Sequence, residues 1–324
     1  MKQTRKIRWL IAHEPVELFL RTAKAFKEKI AELTDNQFEV EIFTSSEYAE
    51  QYGGTFSEEK SNRTDPMVSM DDGNLEMSQM HVTELARYHS PDFYALELPF
   101  LFRDHDHASR VLEGKIGRGL LNDLTNNSPA TGLAFTYSGG FRCIVSEEKI
   151  TNLDDLSGLT FAVATNPISI DTVESIGAIP KVFHIRDFRL TANKVEGQET
   201  AALETTIPRY LAHFAETNKK YLLNTKHSLF LTSIIIQNKF WQSLDADTQA
   251  KFNEACLYAS RLERKWSVKD AENFANKLDH SDIGVEYAEL SESEVEKFKQ
   301  ITLPLYDKYR DFFTADLIDG IIKS

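Results

Sequence analysis

Residues 7–43 read IRWLIAHEPVELFLRTAKAFKEKIAELTDNQFEVEIF, and this stretch decides the fold class. Ile7 to Ala12 is a short apolar run interrupted by Arg8, which reads as a first strand. From Pro15 to Leu33 the apolar residues Phe19, Ala23, Phe26 and Ile30 recur at spacings of three and four, the period of an amphipathic helix. Phe38 to Phe43 alternates apolar and polar residues, as a half-buried strand does. Leu75 to Val82, after an Asp72-Gly73 turn, reads as a third strand. Strand–helix–strand alternation predicts an α/β domain with a largely parallel sheet.

Farther on, the pattern repeats. His105 to Leu124 reads as one helix, and Gly132–Phe135 and Arg142–Val145 as two extended pieces. Pro99 keeps the apolar run Leu96–Phe102 from being a central strand. Ile150 to Leu156 is a turn and a helix start closed by Gly158. Leu159–Ala164 is a strand, Ser169–Ile176 a helix ended by Gly177 as a left-handed cap, and Val182–Ile185 another strand. A second α/β domain follows. Leu229–Gln237 (LFLTSIIIQ) has the β-branched run of a strand buried on both faces. Leu244 to about Leu278 is helical with few breakers, spanning on the order of 50 Å, long enough to pass from one domain to the other.

Composition narrows the function. With 324 residues, 37 Lys plus Arg and 50 Asp plus Glu, the net charge is −13. That argues against a phosphate-backbone binder, which needs clustered positive charge. No stretch approaches 18 apolar residues, so no membrane-spanning helix is expected. Hydrophobic residues at 41% and charged residues at 27% fit a globular chain. Cys143 and Cys256 match no metal-ligand spacing and leave pairing open. The start, MKQTRKIRWLIAHEP, has no uninterrupted secretory apolar stretch. Either the chain is cytoplasmic, or it is a mature form whose signal has been removed.

Enzyme signals are thin. GKIGRG, at Gly114, Gly117 and Gly119, is not a dinucleotide fingerprint and follows no strand; helix punctuation is its reading. Ser138 in TYSGG is not a nucleophile elbow. Asp104-His105-Asp106-His107 puts four potential ligands in a row, but adjacent helical residues point about 100° apart, so at most two reach one metal. A solvated helix N-terminus, where acids favour the dipole, accounts for them, and neither metal nor cofactor is expected. His81, at a strand's carboxyl end, is a better pocket candidate.

Ordered blocks then carry a family resemblance through nearly the whole chain. Asp72-Gly73-Asn74-Leu75-Glu76-Met77, Leu98-Pro99-Phe100-Leu101-Phe102 with His107-Ala108, and Gly140-Phe141-Arg142 come first. Asp155-Leu156-Ser157-Gly158-Leu159, Ile176-Gly177-Ala178 with Pro180, and Glu196-Gly197-Gln198-Glu199 follow. In this order the blocks resemble the solute receptors of tripartite ATP-independent periplasmic (TRAP) transporters, the DctP-like family. The resemblance implies two α/β domains of periplasmic-binding-protein type, joined by hinge strands near Gly132–Phe135 and Lys226–Leu229 and braced by the long helix. The expected lobes are 1–134 with 214–250, and 135–213 with 251–324. It implies a small organic acid enclosed between them, no catalysis, delivery to membrane permease subunits, and a periplasmic location with the signal removed.

Family members pair a carboxylate with an arginine on the strand after the Gly158 block. Counting without a gap, Ala162 stands at that position. The family's G-x-R arginine is kept as Arg142, and Thr200 replaces the asparagine after the Glu196–Glu199 block. Losing a charge-assisted hydrogen bond costs about 1.5–3 kcal/mol, so three alternatives stay open. Another base has taken over (Arg142, Arg186, Arg189, His184 or His81); the ligand lacks the carboxylate or is larger; or the chain has lost transport ligand binding and serves as a sensor or another partner-binding module. The expected ligand contacts are Arg142, Glu14, His81, Asn166, Gln198, Thr200 and the space beside Ala162. Glu14 has a competing role as a helix cap ahead of Pro15.

Overall fold

In a computed structural model, β1 (Arg5–Ile11) lies between β2 (Phe38–Thr44) and β3 (Met77–His81) and is parallel to both. The structure describes residues 4–13, 16–52, 65–183, 200–213, 218–276 and 284–324. These three strands belong to the first of two compact units, Met1–Ser90, Ser109–Ser138 and Leu231–Ser267. Its sheet runs β2-β1-β3-β9-β4, where β9 is Leu229–Gln237 and β4 is Ala130–Ser146. β9 pairs antiparallel with β3 and is buried along its whole length, as its apolar run requires. The helix Val16–Leu33 buries Phe19, Ala23, Phe26 and Ile30 against the sheet. There Trp9 meets Phe26 at 5.2 Å, and Phe252, from the helix Ala246–Ala275, meets Phe38 edge-on at 5.0 Å.

The second unit comprises Pro91–Ala108, Gly139–Phe230 and Val268–Ser324. Its sheet contains β4, β7 (Ala202–Thr206), β5 (Thr160–Ala164) and β6 (Ile179–Phe183) in that order, with β8 (Tyr221–Asn224) on β4 and β10 (Glu286–Glu289) on β8. β5 is parallel to both β6 and β7, whereas β4 is antiparallel to β7. Strand alternation sorts the side chains to two faces. Ile144, Phe161, Val163 and Ala202 pack with Phe298 of the helix Glu292–Arg310. Cys143, Val145, Ala162 and Leu203 pack with Phe274 and Tyr210.

Several expectations change. The helix expected over His105–Leu124 is two, His105–Glu113 and Lys115–Asn127, because Gly114 takes an extended conformation between them. A Cβ at Gly114 would stand 2.4 Å from the Arg110 carbonyl oxygen. The extended pieces around Gly132 and Arg142 are one strand of 17 residues, which passes through Gly139 and Gly140 at φ 94° and 93°. β6 begins at Ile179 and includes Pro180, which its place at the end of the sheet permits. The long helix has 30 residues, to Ser267 in the first unit and from Val268 in the second. The expected lobe boundaries at 134/135, 213/214 and 250/251 stand beside changes of unit at 90/91, 108/109, 138/139, 230/231 and 267/268. Cys143 and Cys256 are both free and buried.

Candidate solute-binding site

Among the described residues, a cluster of buried and largely buried charge lies in the second unit, at the carboxyl ends of the parallel pair β5 and β7. Arg142 of β4 is level with Thr206, the last residue of β7. Its Nη2 donates to Glu97 Oε2 at 2.9 Å, and its Nη1 lies 3.2 Å from Glu204 Oε1. The guanidinium carbon sits 3.9 Å from the centre of the Phe230 ring. Arg142 is buried, and its Nε–H has no acceptor among the described residues.

Glu204 is the hub of this cluster. His227 Nε2 lies 3.1 Å from Glu204 Oε2, and Ser169 Oγ donates to Oε1 at 3.2 Å. Burial alone pushes the Glu204 carboxyl up, but Arg142, His227 and Ser169 outweigh it and hold the carboxyl at about 2. The carboxylate is therefore ionised across the neutral range, and His227 Nε2 carries the proton that it shares with Glu204. The His227 Nδ1 is 2.6 Å from Thr225 Oγ1, and its ring lies over Phe298 at 5.4 Å. A buried cation matched by one buried carboxylate, Glu97, and one largely buried, Glu204, is held by the network as much as it holds it.

Asn166 caps the helix Pro167–Ser175 just past β5; its Oδ1 accepts from Ile168 N at 3.0 Å. That leaves its buried Nδ2 without an acceptor among the described residues. Ser169, the Glu204 donor, belongs to the same first turn. Arg142 and Asn166 thus lie at the same end of the sheet, at the carboxyl ends of β7 and β5.

Ala162 and Thr200 do not join them. Ala162 points to the apolar face with Val145 and Leu203, opposite the face that carries Ile144 and Glu204. Thr200 precedes the amino end of β7, about 20 Å of strand from Thr206 at ~3.3 Å per residue. Its carbonyl accepts from Lys219 Nζ at 3.0 Å. Glu14, His184, Arg186, Arg189 and Gln198 lie outside the described residues.

His81 belongs to the first unit, where parallel β1 and β3 end on a second polar edge. The His81 ring meets that of His13 at 4.3 Å, and both are buried. Beside them Gln79 Nε2 donates to the Thr136 and Thr232 hydroxyls at 2.7 and 3.0 Å. Gln79 Oε1 has no donor among the described residues.

The Asp104–His107 cluster is structural. Asp104 Oδ1 accepts from His107 N at 2.6 Å. His107 is buried rather than solvated: its Nδ1 accepts from Arg103 N at 3.1 Å, so Nε2–H donates to the Ile321 carbonyl at 2.8 Å. No group of three His, Cys, Asp or Glu suited to a metal occurs among the described residues.

Two α/β units, each with polar side chains at the carboxyl ends of parallel strands, are the build of a two-domain binding protein. The chain belongs to the bacterial extracellular solute-binding protein family 7 (DctP), which matches residues 12–311. It is 21% identical over 302 residues to the C4-dicarboxylate-binding periplasmic protein DctP of Rhodobacter capsulatus, covering 92% of this chain and 84% of the relative. Its fold is similar to that of the sugar acid binding protein DctPAm of Advenella mimigardefordensis in complex with galactonate, with a TM-score of 0.82, 21% identity, and coverage of 100% and 98%. A TRAP periplasmic solute binding protein of Sulfurospirillum deleyianum with bound succinate gives a TM-score of 0.81 at 19% identity, covering 98% of each chain. Family and neighbours are binding proteins rather than enzymes. No helix among the described residues is long and apolar enough to cross a membrane.

Proposed function

We propose that this chain is the extracytoplasmic receptor of a TRAP-type secondary transporter, capturing a small organic acid and delivering it to membrane permease subunits. Family membership supplies the class, and the relatives named above bind C4-dicarboxylates, galactonate or succinate. The observation that carries the ligand reading is the buried Arg142 guanidinium with an uncommitted Nε–H. A planar guanidinium cannot lose its charge and matches a carboxylate in shape. Glu97 and Glu204 fix its plane, so a solute meets a preset donor edge. Asn166 Nδ2 adds a neutral donor for a hydroxyl or carbonyl oxygen.

A second reading, a solute without the usual carboxylate, is favoured by the same two glutamates, which match the Arg142 charge. A thermal-shift screen separates the two. Binding to the folded state raises the melting temperature by mass action. Organic acids should raise it, and neutral sugars and amines should not. A shift from sugars or amines alone would remove the carboxylate reading.

A further inference from the structure

We infer that the side-chain carbonyl of Gln79 reads a hydroxyl of the solute, selecting a hydroxy acid over the matching keto or unsubstituted acid. The inference deepens the organic-acid reading and rests on it.

Gln79 stands on an apolar face. It is opposite Ile234 in the β3–β9 register and one alternation from Met77, and both of those belong to the apolar cluster that packs on the helix Val16–Leu33. It is 1% exposed. An amide buried there is unfavourable unless its polar atoms are paired. The nitrogen end is paired. Nε2 donates to Thr136 Oγ1 at 2.7 Å and to Thr232 Oγ1 at 3.0 Å, and the two hydroxyl oxygens are 2.5 Å apart. The Thr232 hydroxyl also reaches the Tyr137 carbonyl at 3.4 Å. All four residues belong to the first unit.

Counting protons fixes which way the amide faces. With Nε2 toward the threonines, its two N–H groups and the two hydroxyls supply four protons for these four contacts. Turned over, the amide offers only an acceptor, and the two hydroxyl protons cannot serve four contacts. Oε1 is therefore held on the side away from the threonines, an acceptor with no donor among the described residues. Its direction follows from the register. Thr232 is level with His81, the last residue of β3, so the Gln79 side chain leans toward the carboxyl end of the parallel pair β1 and β3. That is the end at which α/β sheets bind their ligands. A buried carbonyl oxygen accepts from an O–H and repels a second carbonyl oxygen. Asn166 Nδ2 donates to hydroxyl and carbonyl oxygens alike, whereas Gln79 Oε1 tells them apart. The solute class that fits is a hydroxy acid.

Titration calorimetry on the full chain tests this with two series: 2-hydroxyglutarate, 2-oxoglutarate and glutarate, and D-erythronate with its single-deoxy forms. In the series that binds tighter, the wild type should prefer the hydroxy acid at least about tenfold over a partner lacking one hydroxyl. Gln79→Met removes the acceptor and keeps the length of the side chain. It should abolish that preference while changing the partner's Kd less than about twofold. Thr136→Val releases one of the two holds on Nε2 and should lose part of the same preference. A wild type without the preference would overturn the inference and leave the organic-acid reading intact. A preference that persists in Gln79→Met would also overturn it, as would equal losses for the hydroxy acid and its partners, which assign Gln79 to packing. Should Gln79→Met not fold, an unchanged preference in Thr136→Val overturns it. If the wild type binds none of these acids, the organic-acid reading falls and this inference with it.

Discussion

Glu204 is the residue through which the charge cluster couples to pH. Its carboxyl is ordinarily near 4.5 and is held at about 2 in the fold, so it contributes stability that is complete above pH 4.5 and lost as pH falls toward 2. Glu204→Gln should remove that part of the acid loss and cost roughly 1.5–3 kcal/mol at pH 7, since Glu97 still holds Arg142. Denaturant melts of both proteins at pH 7 and pH 3 measure the difference; parallel curves would show that Glu204 is not ionised in the fold. Arg142 was legible in the sequence through Gly140-Phe141-Arg142. Glu204 was not, and the reason is specific. The pair Glu-Thr occurs three times, at 199–200, 204–205 and 216–217, and the sequence alone points to the first. The fold sets the second against Arg142 because β7 alternates, which sends Glu204 to the Ile144 face. Glu97 and His227 come from segments far from Arg142 in sequence, and no local spacing announces either.

Among the elements, β9 was legible to the residue, because burial on both faces leaves an unbroken apolar run. β4 was not: Gly139 and Gly140 interrupt the apolar pattern, although the strand continues through them. Gly139 is required there, since a Cβ would stand 2.4 Å from the Thr206 Oγ1. The helix Ala246–Ala275 was legible as a long helix, but its buried acid was not. Glu263 accepts from Tyr137 N of β4 at 2.7 Å and from Ser267 Oγ at 3.0 Å. Burial pushes its carboxyl up to about 8, against the pull of the Tyr137 N–H, Ser267, Arg264 and Arg21. The fold therefore prefers Glu263 protonated. Its contribution is full below pH 4.5 and declines as pH rises through 8, by up to about 1.4 kcal/mol per pH unit. Glu263→Gln mimics the protonated form, so it should flatten the fall in melting temperature between pH 5 and 8 and stabilise the protein at pH 8. A variant as pH-sensitive as the wild type would place the loss elsewhere.

For the whole molecule, the α/β class and its two units followed from strand–helix alternation on either side of residue 130. The net charge of −13 means that the overall field repels an anion. Affinity for an acid must then come from a local cation, and the one proposed for it is Arg142, level with the last residue of β7. The account stands or falls on whether Arg142 holds the solute. Calorimetric titration of the wild type and Arg142→Ala with the organic acid that gives the largest thermal shift measures this directly. The account predicts a Kd at least tenfold weaker in Arg142→Ala, with the variant still folded; an unchanged Kd would contradict it.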